Sequence, residues 1–147
     1  NQFKTIIGNN SRLLGIDPGQ KNIGFAICDE NKKVATPLRT IQKSKFKNLI
    51  DEIREIISEN QIKGIIIGNP INMDGTMGKS SKSALEFAHN LSKNITIPIS
   101  MWDERLSSEA SFKITKELGT NVSNRVNNLD KNAAAFILQG AIDYLSR

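Results

Sequence analysis

Short apolar runs alternate with turn sequences in the first part of the chain. Residues 12–17, 22–29 and 32–41 are such runs, and the sequences PGQK and DENK separate them. Short runs bounded by Pro, Gly, Asn and Asp are typical of strands joined by tight turns. The pattern therefore predicts a three-stranded antiparallel meander.

The middle of the chain alternates between helical and strand-like apolar patterns. Over residues 44–59 apolar side chains recur every three or four positions, which predicts an amphipathic helix. The segment IKGIIIG at 62–68 is almost wholly apolar and rich in β-branched residues, as in strands buried on both faces of a parallel sheet. A second helix with Ala84 and Leu91 on its buried face and a strand over 94–102 continue the alternation.

The end of the chain is predicted to be helical after one polar stretch. Residues 120–128, TNVSNRVNN, are rich in Asn and lack periodicity, which favours a flexible loop. The final helix then carries five residues on its buried face: Ala133, Phe136, Ile137, Ala141 and Tyr144.

The order βββαβαβ followed by helices indicates the fold class. Right-handed crossovers place helices against the sheet, so we predict an α/β fold in which helices flank a five-stranded mixed sheet. The 147 residues, 38% of them hydrophobic, suit a single domain with one core. We expect residues 1–11 to form a poorly ordered N-terminal extension.

Composition and charge narrow the range of partners. The net charge of +5 and the isoelectric point near 9.4 are compatible with a polyanionic partner such as nucleic acid. Aromatic residues make up 5% of the chain, which argues for recognition of nucleic-acid backbone and shape over base stacking. The lone Cys28, the lack of a membrane-length apolar run and the lack of a signal peptide predict a cytoplasmic protein with no membrane partner.

Four acidic residues lie where the predicted elements begin or end. Asp17 closes the first strand within an Asp-Pro-Gly turn. Asp103 and Glu104 close the last strand, and Asp130 falls in the first turn of the final helix. Each has a local explanation: turn hydrogen bonding, an ion pair with Arg105 at a solvated strand end, and the helix dipole. Because side chains alternate along a strand, only one of Asp103 and Glu104 can face a given side.

The predicted fold brings these acids into one candidate site. The carboxyl ends of the first and fifth strands meet at one edge of the sheet, where open α/β sheets bind ligands. If the start of the final helix packs there, Asp130 joins Asp17 and one acid of the last strand. Three carboxylates so close repel one another unless a cation neutralises them, and Mg²⁺ or Mn²⁺ prefers such oxygen ligands. Two such ions support hydrolysis of a phosphodiester, so a nuclease is the expected function.

Four segments of the sequence resemble the signature blocks of the YqgF/RuvX family of bacterial proteins. Their order and spacing extend the resemblance from Arg12 to Leu145. The family has an RNase H-like fold related to the Holliday junction resolvase RuvC. The segments are LLGIDPGQKNIGFAICD, GIIIGNPINMDGTMGKSSK, WDERLSSEAS and LDKNAAAFILQGAIDYL.

The resemblance implies a metal-dependent endonuclease. In this interpretation Asp17, Glu104 and Asp130 are catalytic and hold one or two Mg²⁺ or Mn²⁺ ions. Glu104 is preferred to Asp103 as the metal ligand of the last strand, and Asp103 assists catalysis by orienting Arg105. Hydrolysis by a metal-activated water would leave 5′-phosphate and 3′-hydroxyl ends.

The sequence departs from the family pattern at two positions. Asn69 stands in the sequence GNP where the family usually has Leu, and Asn22 follows Lys21 where the family often has Arg. Both changes leave every acid in place. They affect one expected contact between the protein and a substrate phosphate.

Basic and polar residues around the acids are candidates for substrate binding. The segment NMDGTMGKSSK carries glycines before a helix start, where backbone N–H groups and lysines can hold phosphates. A solvated helix start explains each single lysine equally well. A nuclease, however, needs basic side chains to bring a polyanion near its own acidic residues. The predicted set is Lys21, Asn72, Lys79, Lys82, Arg105 and Arg125.

Several functional interpretations stay open. Of the activities that the resemblance implies, maturation of the 5′ end of pre-16S rRNA ranks above resolution of Holliday junctions. Symmetric cutting of a four-way junction needs a two-fold dimer, which no residue pattern indicates; monomer and homodimer both remain open. A non-catalytic factor that binds rRNA or a protein is an alternative of another class. The first segment also resembles the phosphate-binding turn of the sugar kinase and actin superfamily, whose members need two such domains.

Overall fold

The described part of the chain forms one sheet flanked by helices. The computed structural model describes residues 11–19, 22–42, 49–70, 74–103 and 122–145, with side chains from Ala133 onward in the last range. The strands are β1 (Arg12–Pro18), β2 (Asn22–Cys28), β3 (Ala35–Gln42), β4 (Ile62–Asn69) and β5 (Ile99–Asp103). The helices of these ranges are α1 (Leu49–Asn60), α2 (Lys79–Asn94) and α3 (Val122–Leu145).

The five strands form a mixed sheet in the order β3-β2-β1-β4-β5. β2 pairs antiparallel with both β1 and β3, which is the predicted meander. β4 pairs parallel with both β1 and β5, so β1, β4 and β5 run in one direction. The predicted five-stranded mixed sheet is therefore confirmed.

Helices cover both faces of the sheet because the strands are apolar on both sides. Leu13, Ala26 and Ile66 pack against α3 on one face. The neighbouring residues Leu14 and Ile65 point the other way and pack with α1 and α2. The two layers give each buried strand a core on either side, as continuous apolar strands require.

Asp29 fixes the turn between β2 and β3. Its Oδ1 accepts hydrogen bonds from the backbone N–H groups of Lys33, at 2.7 Å, and Val34, at 2.9 Å. Lys32 in the same turn has a φ of 55°, in the left-handed region. The turn therefore extends to Val34, and β3 begins at Ala35 and not at residue 32 as the apolar run predicted.

This turn makes part of the folding stability depend on pH. Hydrogen bonds from the N–H groups of Val34 and Lys33 hold the pKa of the Asp29 carboxyl below its ordinary value of 3.8. A carboxyl with a lowered folded-state pKa favours folding while it is ionised, so its contribution is lost as the pH falls through that lowered pKa. We expect urea unfolding to give a constant stability difference between wild type and Asp29→Asn above about pH 5, and a shrinking one below about pH 4. A difference that stays constant down to about pH 2 would contradict this.

β5 is shorter than the strand predicted over 94–102. α2 runs to Asn94, so the start of that apolar pattern belongs to the end of a helix. The carbonyl oxygen of Pro98 accepts a hydrogen bond from the N–H of Ile65 at 2.9 Å, but Pro98 has no N–H to donate in return. Regular pairing with β4 therefore begins at Ile99.

α3 begins earlier than predicted. It starts at Val122, so the stretch 120–128 that we expected to be a loop is helical from Val122 on. Asn and Ser compete with the backbone for hydrogen bonds, so the local pattern does not indicate a helix that propagates from its packed C-terminal half. Asp130 consequently lies in the helix interior and not in the first turn as predicted. The helix dipole, which acts within the first turn, does not explain an acid at this position.

The buried side of α3 agrees with the predicted one only in part. Ile137 and Ala141 are buried as predicted, and Ala134 and Leu138 are buried beside them, whereas Tyr144, which the pattern assigned to the buried face, is 52% exposed. The Tyr144 ring instead packs edge-on against Trp102, with ring centroids 5.8 Å apart. Tyrosine carries a polar hydroxyl, so the border of a core suits it better than the centre.

Gln139 ties α3 to the turn between β2 and β3. Its Oε1 accepts a hydrogen bond from the N–H of Ala35, and its Nε2 donates to the carbonyl oxygen of Lys33, both at 2.9 Å. Ala35 pairs with Cys28, the last residue of β2. This part of α3 therefore lies at the end of the sheet where β1 begins.

Ser11, which we assigned to the N-terminal extension, is 2% exposed and directly precedes β1. It therefore belongs with the folded sheet, whereas residues 1–10 lie outside the described ranges. Of the helices in those ranges, none combines the length and the apolar character needed to cross a membrane.

Candidate active site

The three parallel strands end at the same edge of the sheet. The register pairs Ile16 with Ile67 and Asn69 with Asp103. Asp17, Asn69 and Asp103 therefore all lie at the carboxyl ends of adjacent strands. The predicted meeting of the first and fifth strand ends is confirmed, with β4 between them.

Asp17 and Asp103 lie on opposite faces of this edge. Gly15 lies directly beneath α3, and strand alternation puts Asp17 on that same face. Met101 packs with the core on the α1 and α2 side, so Asp103 lies on the α1 and α2 face. The structure thus does not bring these two acids together. Glu104 lies outside the described residues.

α3 crosses directly over the strand that carries Asp17. A Cβ atom built at Gly15 would lie 2.8 Å from the Cβ of Leu138 and 3.1 Å from the carbonyl oxygen of Ala134. A Cβ atom built at Gly24, the β2 residue paired with Asp17, would lie 3.5 Å from the Cβ of Ala134 and 3.8 Å from the Cβ of Asp17. The helix approaches Asp17 closely because two strand positions beneath it lack side chains.

The direction of α3 takes Asp130 toward the same edge. Gln139 accepts its hydrogen bond from Ala35 at the end of the sheet where β1 begins. Ala134 lies beside Asp17, where β1 ends. α3 therefore runs antiparallel to β1, and the backbone of Asp130 lies one turn before Ala134 on the side of the carboxyl edge. Among the described side chains no three His, Cys, Asp or Glu form a cluster that could hold a metal. Of the three predicted cation ligands, Asp17 has a described side chain, whereas Glu104 and the side chain of Asp130 lie outside the described part of the chain.

The N-terminus of α2 carries two of the predicted substrate-binding residues. Lys79 and Lys82 are exposed at its start, and its first turn contains no acid. Gly78 is the N-cap and supplies no side-chain hydrogen bond to the helix. Such a helix start attracts anions through its backbone N–H groups and its dipole. The other predicted side chains lie outside those described: Lys21, Asn72, Arg105 and Arg125.

A family model for RuvX, described as Holliday junction resolvase, matches residues 11–144. The chain belongs to the RuvX family. A protein of Pelagibacter ubique named "Putative pre-16S rRNA nuclease" is 51% identical over 144 residues, covering 98% of this chain and 95% of that protein. A Rhodobacter capsulatus protein of the same name is 40% identical over 144 residues, covering 98% and 91%.

Solved structures establish the RNase H-like fold of this RuvX protein. RuvC of T. thermophilus in complex with a Holliday junction substrate superposes with a TM-score of 0.56 at 14% identity, covering 91% of this chain and 94% of that chain. A second Thermus thermophilus RuvC structure gives a TM-score of 0.53 at 13% identity, covering 90% and 95%. At this level of identity the likeness concerns the fold, which agrees with the fold that the sequence resemblance implied.

Asn69 departs from the Leu expected of a RuvX protein, and its surroundings explain the amide. Its Oδ1 accepts a hydrogen bond of 2.5 Å from the hydroxyl of Ser81. Asn69 is 8% exposed and Ser81 is fully buried in the first turn of α2. This pair ties the end of β4 to the start of α2, so the Asn69 side-chain oxygen is engaged inside the protein. Sequence reasoning missed Ser81 because no local pattern links two polar residues on different elements.

Removing the Ser81 hydroxyl is expected to destabilise this RuvX protein. In Ser81→Ala the buried carbonyl oxygen of Asn69 loses its donor, which should lower the free energy of unfolding by about 1–3 kcal/mol in urea titrations. Ser83→Ala is the matched control, because Ser83 is exposed on the same helix; its effect should stay within about 0.5 kcal/mol. Equal effects of the two variants would contradict a stabilising role for the Asn69–Ser81 pair.

Proposed function

We propose that this RuvX protein is a divalent-cation-dependent endonuclease that hydrolyses nucleic-acid phosphodiesters at the Asp17 edge. The observation that carries the proposal is the close passage of α3 over Asp17. A Cβ at Gly24 would stand within 3.8 Å of both Ala134 and Asp17, and Asp130 lies one turn further along α3 toward the edge. This geometry supports a site in which Asp17 and Asp130, from two distant parts of the sequence, share one edge of the sheet.

The donor chemistry of the proposed set fits Mg²⁺ or Mn²⁺. Asp17, Glu104 and Asp130 offer carboxylate oxygens, the ligands that hard divalent cations prefer. Asp103 faces away from Asp17, which counts against Asp103 as a cation ligand beside Asp17, and Glu104 is therefore retained in the proposed set. A bound cation supplies Lewis-acid activation of a phosphodiester and of water.

The other residues of the chain would bind and orient the substrate. We infer that Lys79, Lys82 and the backbone N–H groups at the start of α2 hold phosphates beside the reacting one. Lys21, Asn72, Arg105 and Arg125 are proposed for the same task. Asp103, on the α1 and α2 face, would orient Arg105 by an ion pair.

The precursor of 16S rRNA is the substrate that we rank first. Relatives with 51% and 40% identity carry the name of a pre-16S rRNA nuclease and match nearly the whole chain. A four-way DNA junction ranks second, supported by the family description and by the RuvC fold. Resolution of a junction by symmetric cuts additionally requires a two-fold dimer.

Cleavage assays on both substrates test this proposal. The protein is incubated with a 5′-extended 16S rRNA precursor or with a four-way DNA junction, in Mg²⁺, Mn²⁺ or EDTA, and Asp17→Asn is assayed alongside. We expect cleavage of the RNA that needs the cation and Asp17, leaving 5′-phosphate and 3′-hydroxyl ends. Cleavage of the junction alone would make the four-way junction, and not the rRNA precursor, the substrate. Binding of RNA without any cleavage would favour the non-catalytic factor.

A further inference from the structure

An open cavity on the α3 face shares Asp17 with the proposed cation set and extends beyond it. Its volume is about 260 Å³. It extends from Asp17 across β2 to β3, with α3 as one wall. The lining residues that matter here are Asp17, Asn22, Gly24, Thr40, Ala133 and Ala134.

The cavity lining combines polar and apolar residues, and its basic residue is engaged in an ion pair. Asn22 and Thr40 are exposed and supply an amide and a hydroxyl, which both donate and accept hydrogen bonds. Arg39 is the basic residue among the described lining, and its Nη1 is held by Glu52 Oε1 at 3.0 Å. The rest of the lining is apolar and comes from both the strands and α3: Phe25, Pro37, Leu38, Ala133, Ala134 and Ala135. This lining suits a neutral group with hydrogen-bonding edges better than a phosphate.

We propose that this cavity holds one unpaired nucleoside, sugar and base, next to the phosphate that reacts at Asp17. The assignment rests on the proposed nuclease function, because Asp17 forms part of the lining. The volume lies near the lower end of that of small-molecule sites, about 300 Å³, so it admits one such unit and no larger element. Asn22 and Thr40 bind the polar edges of the base or the sugar hydroxyls, and Ala133 and Ala134 contact its apolar surface.

Gly24 keeps this nucleoside site open. A Cβ there would make ordinary contacts, 3.5 Å to Ala134 and 3.8 Å to Asp17, so Ala fits at position 24. The further carbons of a Leu side chain would have to enter the cavity, because Ala134 blocks the direction of the helix. Gly24→Leu and Gly24→Ala therefore form a matched pair that differs in filling the site.

The first test measures binding in the absence of cleavage. A fluorescently labelled RNA that spans the 5′ precursor end of 16S rRNA is titrated in EDTA with wild type, Gly24→Ala and Gly24→Leu. We expect Gly24→Leu to bind about tenfold more weakly and Gly24→Ala to stay within about twofold. Binding by folded Gly24→Leu at wild-type strength overturns the nucleoside site.

The second test removes the proposed occupant. The same RNA is prepared with a single abasic ribose at each unpaired position in turn. One position should weaken wild-type binding about tenfold and should weaken Gly24→Leu no further, because coupled changes are not additive. Additive losses at every position overturn the site.

A hydroxyl deletion keeps the proposal testable if Gly24→Leu does not fold. Thr40→Val should weaken binding and raise the dissociation constant at least threefold, which is about half a unit in log Kd. Thr36→Val, also exposed on β3 but outside the cavity lining, should bind as wild type does. Equal binding by the two variants overturns the site.

Wild-type cleavage by Asp17→Asn would instead refute the proposed nuclease function, and the EDTA measurements do not depend on that outcome.

Discussion

Asp17→Asn is expected to lower the single-turnover rate of phosphodiester cleavage by roughly a thousandfold or more, the scale on which single catalytic groups act. Asn keeps the shape of the side chain and its hydrogen-bonding oxygen but removes the charge that a divalent cation requires. Asp17 lies at the end of β1 and is partly exposed, so the fold should survive the change. Rates are measured with substrate-saturating enzyme, and circular dichroism verifies folding.

Asp29→Asn is the matched control for this prediction. It makes the same chemical change in a turn at the other end of β2, and Asp29 faces the backbone of that turn. Cleavage by Asp29→Asn should remain within about twofold of wild type at neutral pH, since surface changes far from a site have small effects. Comparable loss in both variants would attribute the Asp17 effect to folding, and unchanged cleavage in Asp17→Asn would refute the proposed mechanism.

The sheet could be predicted from the sequence because burial imposes a pattern on each strand. Residues 62–68 are apolar without a break, which indicated a strand covered on both faces, and β4 is that strand at the centre of the parallel part. Handedness of the crossovers then constrained the strand order. The common edge of Asp17 and Asp103 followed from topology alone.

Other features depend on contacts between distant residues and could not be predicted. The start of α3 at Val122 has no apolar signal, and Asn-rich sequence favours a loop in any local assessment. The hydrogen bond between Asn69 and Ser81 joins a strand end to a helix start. The close contact of α3 with the strands was also unpredicted, because a glycine in a strand can mark a bulge, a bend or a close approach and does not by itself show which.

Gly15→Ala is expected to have the second-largest effect, on stability and activity together. The added Cβ would lie 2.8 Å from the Cβ of Leu138 and 3.1 Å from the carbonyl oxygen of Ala134. Neither atom belongs to the flexible end of a side chain, so α3 itself must move. Overpacking of this kind should lower the free energy of unfolding by about 1–3 kcal/mol, measured in urea.

Displacement of α3 should also slow cleavage, because the same helix carries Asp130. We expect a fall of about tenfold or more in the single-turnover rate at a temperature where Gly15→Ala is fully folded, since catalysis is sensitive to displacements of about 1 Å. Gly24→Ala is the control, because its Cβ would come no nearer than 3.5 Å to Ala134. If Gly15→Ala lost stability and kept the wild-type rate, the position of α3 over Asp17 would matter for folding alone, and Asp130 would lose its support as a member of the cation site.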